Sequence, residues 1–225
     1  MATAVDADMK WMFRLGGVSA VVLGLAYIAI IPLYAHVGAP PTGGEAWLNY
    51  LPGKTTVWWA ILALSVLTDF LFAPVAISLY FALEKVNRGA VLIGTAFVGL
   101  FVVLDLAITW SHIASLLILS GDYAAATNGA QRAAYVAAAN YAGAVLASRL
   151  EVVYAIVTLS LGILIISLVT LKGMFSKTTA YLGLITGVLG ITAITRLNAF
   201  IIMNALFATI WVFFVGYRLF RLGQR

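Results

Sequence analysis

The sequence predicts an all-α integral membrane helical bundle with six transmembrane helices. Three observations carry that expectation. Hydrophobic residues make up 64% of the chain and charged residues only 9%, where a soluble domain carries about 25% charged residues. Mean hydropathy is +1.07. Six apolar runs approach the roughly 20 residues needed to cross a ~30 Å hydrocarbon core. A soluble globular fold is excluded, and the whole chain, 1–225, reads as a single polytopic domain.

The first span, 13–34, is opened by Lys10 and Arg14. It is longer than the apolar stretch of about 7–15 residues in a secretory signal, and Asp6 and Asp8 precede it, so it reads as a retained anchor. A loop at 35–54, punctuated by Pro40, Pro41, Gly43, Gly44, Pro52 and Gly53, leads to span two, 57–83. The polar turn Glu84-Lys85-Val86-Asn87-Arg88-Gly89 separates it from span three, 90–119. Spans four, five and six are 152–171, 178–195 and 200–219, the last two joined at Arg196-Leu197-Asn198. Between spans three and four, the Ala-rich stretch 130–148, with Arg132, Tyr135, Asn140 and Tyr141, favours helix. It reads as an additional outer helix lying on or dipping into the membrane, either a lid or a plain connector.

With the N-terminus inside, the inner side carries Lys10, Arg14, Lys85, Arg88, Lys172, Lys177, Arg218, Arg221 and Arg225, and the outer side Lys54, Arg132, Arg149 and Arg196. Nine against four obeys the positive-inside rule and places both termini in the cytoplasm. A seventh span at 131–148 would leave six inside against seven outside, so it is rejected. Trp47, Tyr50, Trp58 and Trp59 on the outer side, and Trp11 and Tyr217 on the inner, suit aromatic belts.

Many functions are excluded by residue type. The excess of 13 Lys+Arg over 8 Asp+Glu is topology charge, so no nucleic-acid partner is expected. Without cysteine there is no disulfide, thiolate zinc site or iron–sulfur cluster, and two histidines are too few for a three-histidine centre. No metal and no cofactor is expected. Gly53-Lys54-Thr55 lacks the upstream glycine of a P-loop, since Leu48 stands there. No lysine lies mid-span for a retinal Schiff base, His36 and His112 are not placed as an axial haem pair, and Ser111 and Ser115 beside His112 are too generic for a serine nucleophile.

The residues that could carry chemistry are two acids. Asp69 is 13th in the 27-residue span two, and Asp105 is 16th in the 30-residue span three. They lie 14 and 15 residues from their shared turn, so a straight hairpin puts them within about 2 Å of one depth. An ionised carboxylate at mid-bilayer costs ~2.5–3.5 kcal/mol, and two sharing a site oppose each other further. At least one is therefore expected to be protonated at neutral pH.

Thr109 and His112 fall at i+4 and i+7 from Asp105, so all three are expected on one face, and Ser65 shares the face of Asp69 at i−4. Pro74 predicts a kink just below Asp69. Glu151, Tyr154 and Thr158 form a second polar row beside Arg149, and Arg196, Asn198 and Asn204 add to it from the last hairpin. The polar groups thus gather in the outer half. They read either as a functional cavity or as helix-to-helix hydrogen bonding worth ~0.6–2 kcal/mol per pair.

Small residues mark close helix approaches. Gly183 and Gly187 form a GxxxG, and Gly16, Ala20 and Gly24 a similar row, serving either internal packing or an oligomer face. The starts of spans two and four, Val57-Trp58-Trp59-Ala60-Ile61 and Val152-Val153-Tyr154-Ala155-Ile156, are alike, which either a duplicated hairpin or a shared apolar alphabet explains.

Phe13-Arg14-Leu15-Gly16-Gly17 opening span one and Leu79-Tyr80-Phe81-Ala82-Leu83-Glu84-Lys85-Val86-Asn87-Arg88 closing span two resemble the bacterial membrane family known as domain of unknown function 4386. The resemblance covers the first half best and is diffuse beyond Gly121. It implies a small polytopic protein of a prokaryotic plasma membrane, and it transfers no activity or site residues.

Three functions fit. The leading expectation is a protein that binds or moves a small solute or a lipid through an outward-facing polar cavity around Asp69 and Asp105, with a protonatable carboxylate as coupling group. Thr109, His112, Ser65, Glu151, Tyr154, Thr158, Arg196 and Asn204 are its expected lining. The second is an intramembrane acid/base enzyme on a lipid or isoprenoid, with Asp69, Asp105 and His112 as candidate catalytic groups. A sealed aromatic surround favours the enzyme, and an open water path to Asp105 favours transport. The third is a non-catalytic accessory subunit docking through Gly183 and Gly187.

Overall fold

A computed structural model describes residues 9–224. Asp6, Asp8 and Arg225 therefore lie outside the described residues. The chain is all-helical, with no strand among the described residues. In order it forms α1 (Lys10–Val37), α2 (Gly44–Tyr50), α3 (Thr55–Leu104), α4 (Ser111–Ala125), α5 (Gly129–Leu146), α6 (Arg149–Val152), α7 (Thr158–Thr170), α8 (Lys177–Thr192) and α9 (Asn198–Leu222). Two wide π turns, Asp105–Trp110 and Val153–Val157, join α3 to α4 and α6 to α7.

Among the described residues, five continuous helical stretches are long and apolar enough to cross a membrane. In none of their apolar windows is more than 44% of the residues buried inside the protein. Large apolar side chains such as Leu25, Phe70, Val103, Ile118 and Phe214 instead stand on the surface. Exposure of that kind on every long helix fits a hydrocarbon surround and no aqueous one.

The second stretch, Thr55–Ala125, is 71 residues long, far more than one crossing takes. It folds back at Asn87, whose φ of −158° and ψ of 90° leave the helical region. The Asn87 side chain then accepts a hydrogen bond from the Ala90 amide at 3.1 Å, capping the returning arm. Through Pro74, by contrast, the backbone keeps helical φ and ψ. The reversal falls within the polar turn expected between spans two and three.

The helices close into a ring. The first arm of α3 packs on α1, where Ser78 Oγ donates to the Met12 carbonyl at 2.9 Å and Gly16 faces Ser78. The second arm crosses α7 at Gly94 and Gly162, so close that a Cβ on Gly162 would meet the Gly94 carbonyl oxygen at 2.8 Å. From there α7 packs on α8, α8 on α9, and α9 on α1, against Gly17 and Gly24.

Two separate apolar clusters fill the ring. One, around Phe72, Phe101, Ile163, Ile166 and Val212, occupies the end with the Asn87 bend and the 171–176 turn. The other, around Trp47, Leu51, Trp58, Ile61 and Leu116, occupies the end capped by α2 and α5. Trp47 and Trp58, expected in an interfacial belt, are only 4% and 1% exposed. The fold-back of α2 buries them, with their ring centroids 5.4 Å apart, and Trp58 donates to the Tyr50 hydroxyl. Trp59, Trp11 and Tyr217 remain exposed.

The two ends differ in charge. The first carries Lys10, Arg14, Lys85, Arg88, Lys172, Lys177, Arg218 and Arg221 against Glu84 alone among the described residues. The second mixes Lys54, Arg132, Arg149 and Arg196 with Glu45, Asp122 and Glu151.

Candidate functional site

Between the two apolar clusters lies a thin polar layer. Along the first arm of α3, Ser65, Thr68 and Asp69 separate Ile61 of one cluster from Phe72 of the other, and all three are buried. Along the returning chain, Asp105 and Thr109 separate Phe101 from Ile113 and are likewise buried. The bend at Asn87 brings these segments side by side, and the carboxyl groups of Asp69 and Asp105 come within hydrogen-bonding reach of each other.

At 3% and 5% exposure the pair is sealed. Asp69 Oδ2 and Asp105 Oδ1 are buried without a hydrogen-bond partner among the described residues. An ionised pair has acceptors only, so a donor for these atoms would have to be a proton on one of the carboxyls.

The π turn sets what surrounds them. In an α-helix, residue i+5 sits about 140° around the axis from residue i. A π turn bonds i to i+5 and brings the two toward one face. Asp105 opens such a turn and Trp110 closes it, and the Trp110 indole N–H donates to Asp105 Oδ2 at 3.1 Å. The extra residue shifts the register of everything after it. Buried positions run Val91, Gly94, Val98, Phe101, Asp105, and then Thr109, Ile113, Leu116, Ser120.

His112, expected on the face of Asp105, is therefore rotated away. Its Nδ1 lies against the Ile108 carbonyl, and its ring sits 5.6 Å from that of Tyr141. It lines a groove of about 470 Å³ between α4 and α5, not the carboxyl pair.

A second π turn faces the first. Thr109 Oγ1 lies within reach of Asp105 and donates to Glu151 Oε1 at 3.4 Å. Glu151 opens out of α6, where Ser148 caps its amide at 3.2 Å, and the π turn Val153–Val157 follows directly. The backbone carbonyl of Val153 accepts from Thr158 Oγ1 at 2.7 Å, so Thr158 serves its own helix. Tyr154 is half-buried within the turn. The result is a continuous polar line, Asp69, Asp105, Thr109, Glu151, from the sealed layer to the half-buried carboxyl.

Arg196 stands near the end of that line, close enough to Glu151 for direct electrostatic attraction. It takes a left-handed φ of 60° in the turn before α9, and its guanidinium donates to the Ala147 carbonyl at 2.6 Å. Asn204 is elsewhere, donating to the Thr186 carbonyl at 2.8 Å to tie α9 to α8. Gly183 and Gly187 turn toward Ser167 and Leu164 of α7, inside the chain. α5 packs on α2 and α4, with Asn140 Oδ1 accepting from the Gly44 amide at 2.9 Å.

Three participants are absent from the expected set. Trp110 was hidden because its contact needs a π turn, which no apolar periodicity announces. Thr68 donates to the Ser65 carbonyl at 2.7 Å, and Tyr27 reaches Thr68 from α1 while its ring packs on Phe72. A tyrosine in an apolar run gives no sign of its partner on another helix.

No family model, curated protein or solved structure matches the chain.

Proposed function

We propose that this chain is a six-span protein of a prokaryotic plasma membrane, with both termini cytoplasmic and α5 as an outer helix. It binds or moves a small solute or a lipid, with the proton shared by Asp69 and Asp105 as its coupling group. The single observation behind this reading is the polar line from Asp69 through Asp105 and Thr109 to Glu151. Chains of intramembrane carboxyls and hydroxyls are the usual path of protons in pumps and transporters. Paired π turns, which recur at functional sites, hold this one. The charge difference between the ends supports the orientation, and the likeness to the family of unknown function 4386 belongs to the same proposal.

A second reading has an observation of its own. The pair is sealed and bordered by Tyr27, Phe72 and Trp110, a surround that suits an acid/base enzyme on a lipid or isoprenoid. Release of activity from a lipid panel, lost in Asp105→Asn, would move the assignment there. A non-catalytic subunit would need a docking face other than Gly183 and Gly187, which are engaged within the chain.

The test is thermal stability of wild type, Asp69→Asn, Asp105→Asn and the double variant in detergent across about pH 5–9, a range that brackets shared carboxyl protons. Non-additive single effects, with a pH dependence in wild type that the double variant loses, are the expected result. Independent losses of about a kilocalorie or more each, with unchanged pH profiles, would mean that the acids only tie helices together.

A further inference from the structure

The basic end of the ring carries a groove that the carboxyl pair does not explain. It measures about 360 Å³ and lies between the start of α8 and the end of α9. Phe214, Tyr217 and Met174 in its walls are exposed large side chains, and Ser176 and Thr179 add hydroxyls beside them. Arg218 lines it, tethered on one side by a bond from its guanidinium to the Met174 carbonyl. The Arg218 Nε is buried and has no hydrogen-bond partner among the described residues. Arg221 stands over the Tyr217 ring at 5.8 Å, a second cation one side chain away from the groove.

Charge decides what such a groove can hold. Among the described residues the only carboxylate at this end is Glu84, and it is drawn to Arg88 on the other hairpin. An acidic occupant therefore meets no repulsion, and the Arg218 guanidinium in the groove wall attracts it. The apolar walls face the hydrocarbon, so the occupant must carry chains as well as charge. Basic pockets between transmembrane helices on the cytoplasmic side are the usual seats of anionic headgroups.

We propose that this groove binds an anionic phospholipid, its phosphate on Arg218 and its acyl chains along Phe214 and Tyr217. The site is independent of the carboxyl pair and stands or falls without it.

The test uses full-length protein in detergent, titrated with phosphatidylglycerol or with phosphatidylcholine of the same acyl chains, and read by native mass spectrometry. Phosphatidylglycerol should be retained more strongly than phosphatidylcholine, and Arg218→Gln should weaken it by about fivefold, the effect of one favourable charge near a headgroup. If Arg218→Gln fails to fold, Tyr217→Glu, at a side chain 64% exposed, should abolish the preference by placing a carboxylate at the mouth. Equal retention of the two lipids, an unchanged preference in the folded variants, or displacement of phosphatidylglycerol by millimolar inorganic phosphate would overturn the proposal.

Discussion

Replacing Trp110 by Phe removes one N–H donor and keeps an aromatic ring in the polar layer. The donor meets Asp105 Oδ2 at 3.1 Å, and its worth depends on the charge it faces. A hydrogen bond to an ionised group contributes about 1.5–3 kcal/mol, whereas a neutral pair between transmembrane helices averages about 0.6 kcal/mol. If one proton serves both acids, the pair holds one negative charge and the larger figure applies. In an Asp105→Asn background the acceptor survives without that charge, so the cost of Trp110→Phe should fall toward the smaller figure. Packing lost with the smaller ring is the same in both backgrounds and cancels. The expected coupling is therefore about 1–2 kcal/mol, measured by equilibrium unfolding of the four proteins in mixed micelles. A cost equal in both backgrounds to within about 0.5 kcal/mol would refute the charged pair.

Other consequences are simpler to read. Gly162→Val should destabilise by about 1–3 kcal/mol, because its side chain would meet the Gly94 carbonyl oxygen and Val98. Gly99→Ala, with open space around the position, should be neutral or raise the melting temperature through helix propensity. Deleting Ala107 from the π turn should lower stability less than deleting Val103 from the regular helix before it. The first restores an α register, with Phe101, Asp105 and Ile113 still on one face, and the second rotates the two halves apart; equal losses in thermal unfolding would contradict that. Asn204→Leu should cost about 0.6–1.7 kcal/mol by loss of its bond to the Thr186 carbonyl, with no change in the pH dependence of stability.

The helices were legible because hydropathy over some 20 residues is a strong signal, and each expected apolar run is helical to within a residue of its ends. The common depth of Asp69 and Asp105 was legible too, since equal distances from one turn impose equal depths in a straight hairpin, but which way either side chain points was not. Register was not. A single extra residue at Asp105–Trp110 turned His112 away and Trp110 inward, and hydrophobic periodicity does not mark where a helix widens. Nor does composition distinguish an interfacial tryptophan from one such as Trp58, buried by a short helix folding back. Contacts made across the ring, such as Tyr27 with Thr68 or Arg196 with the Ala147 carbonyl, depend on helix order around it, which the chain order alone leaves open.

The most direct test of the shared proton is infrared spectroscopy of the carboxylic-acid carbonyl stretch at neutral pH in wild type, Asp69→Asn, Asp105→Asn and Glu151→Gln. A protonated-acid band that is present in wild type, altered in both aspartate variants and retained in Glu151→Gln is the expected result. A wild-type spectrum without that band, or a band unmoved by either aspartate substitution, would contradict a proton held between Asp69 and Asp105.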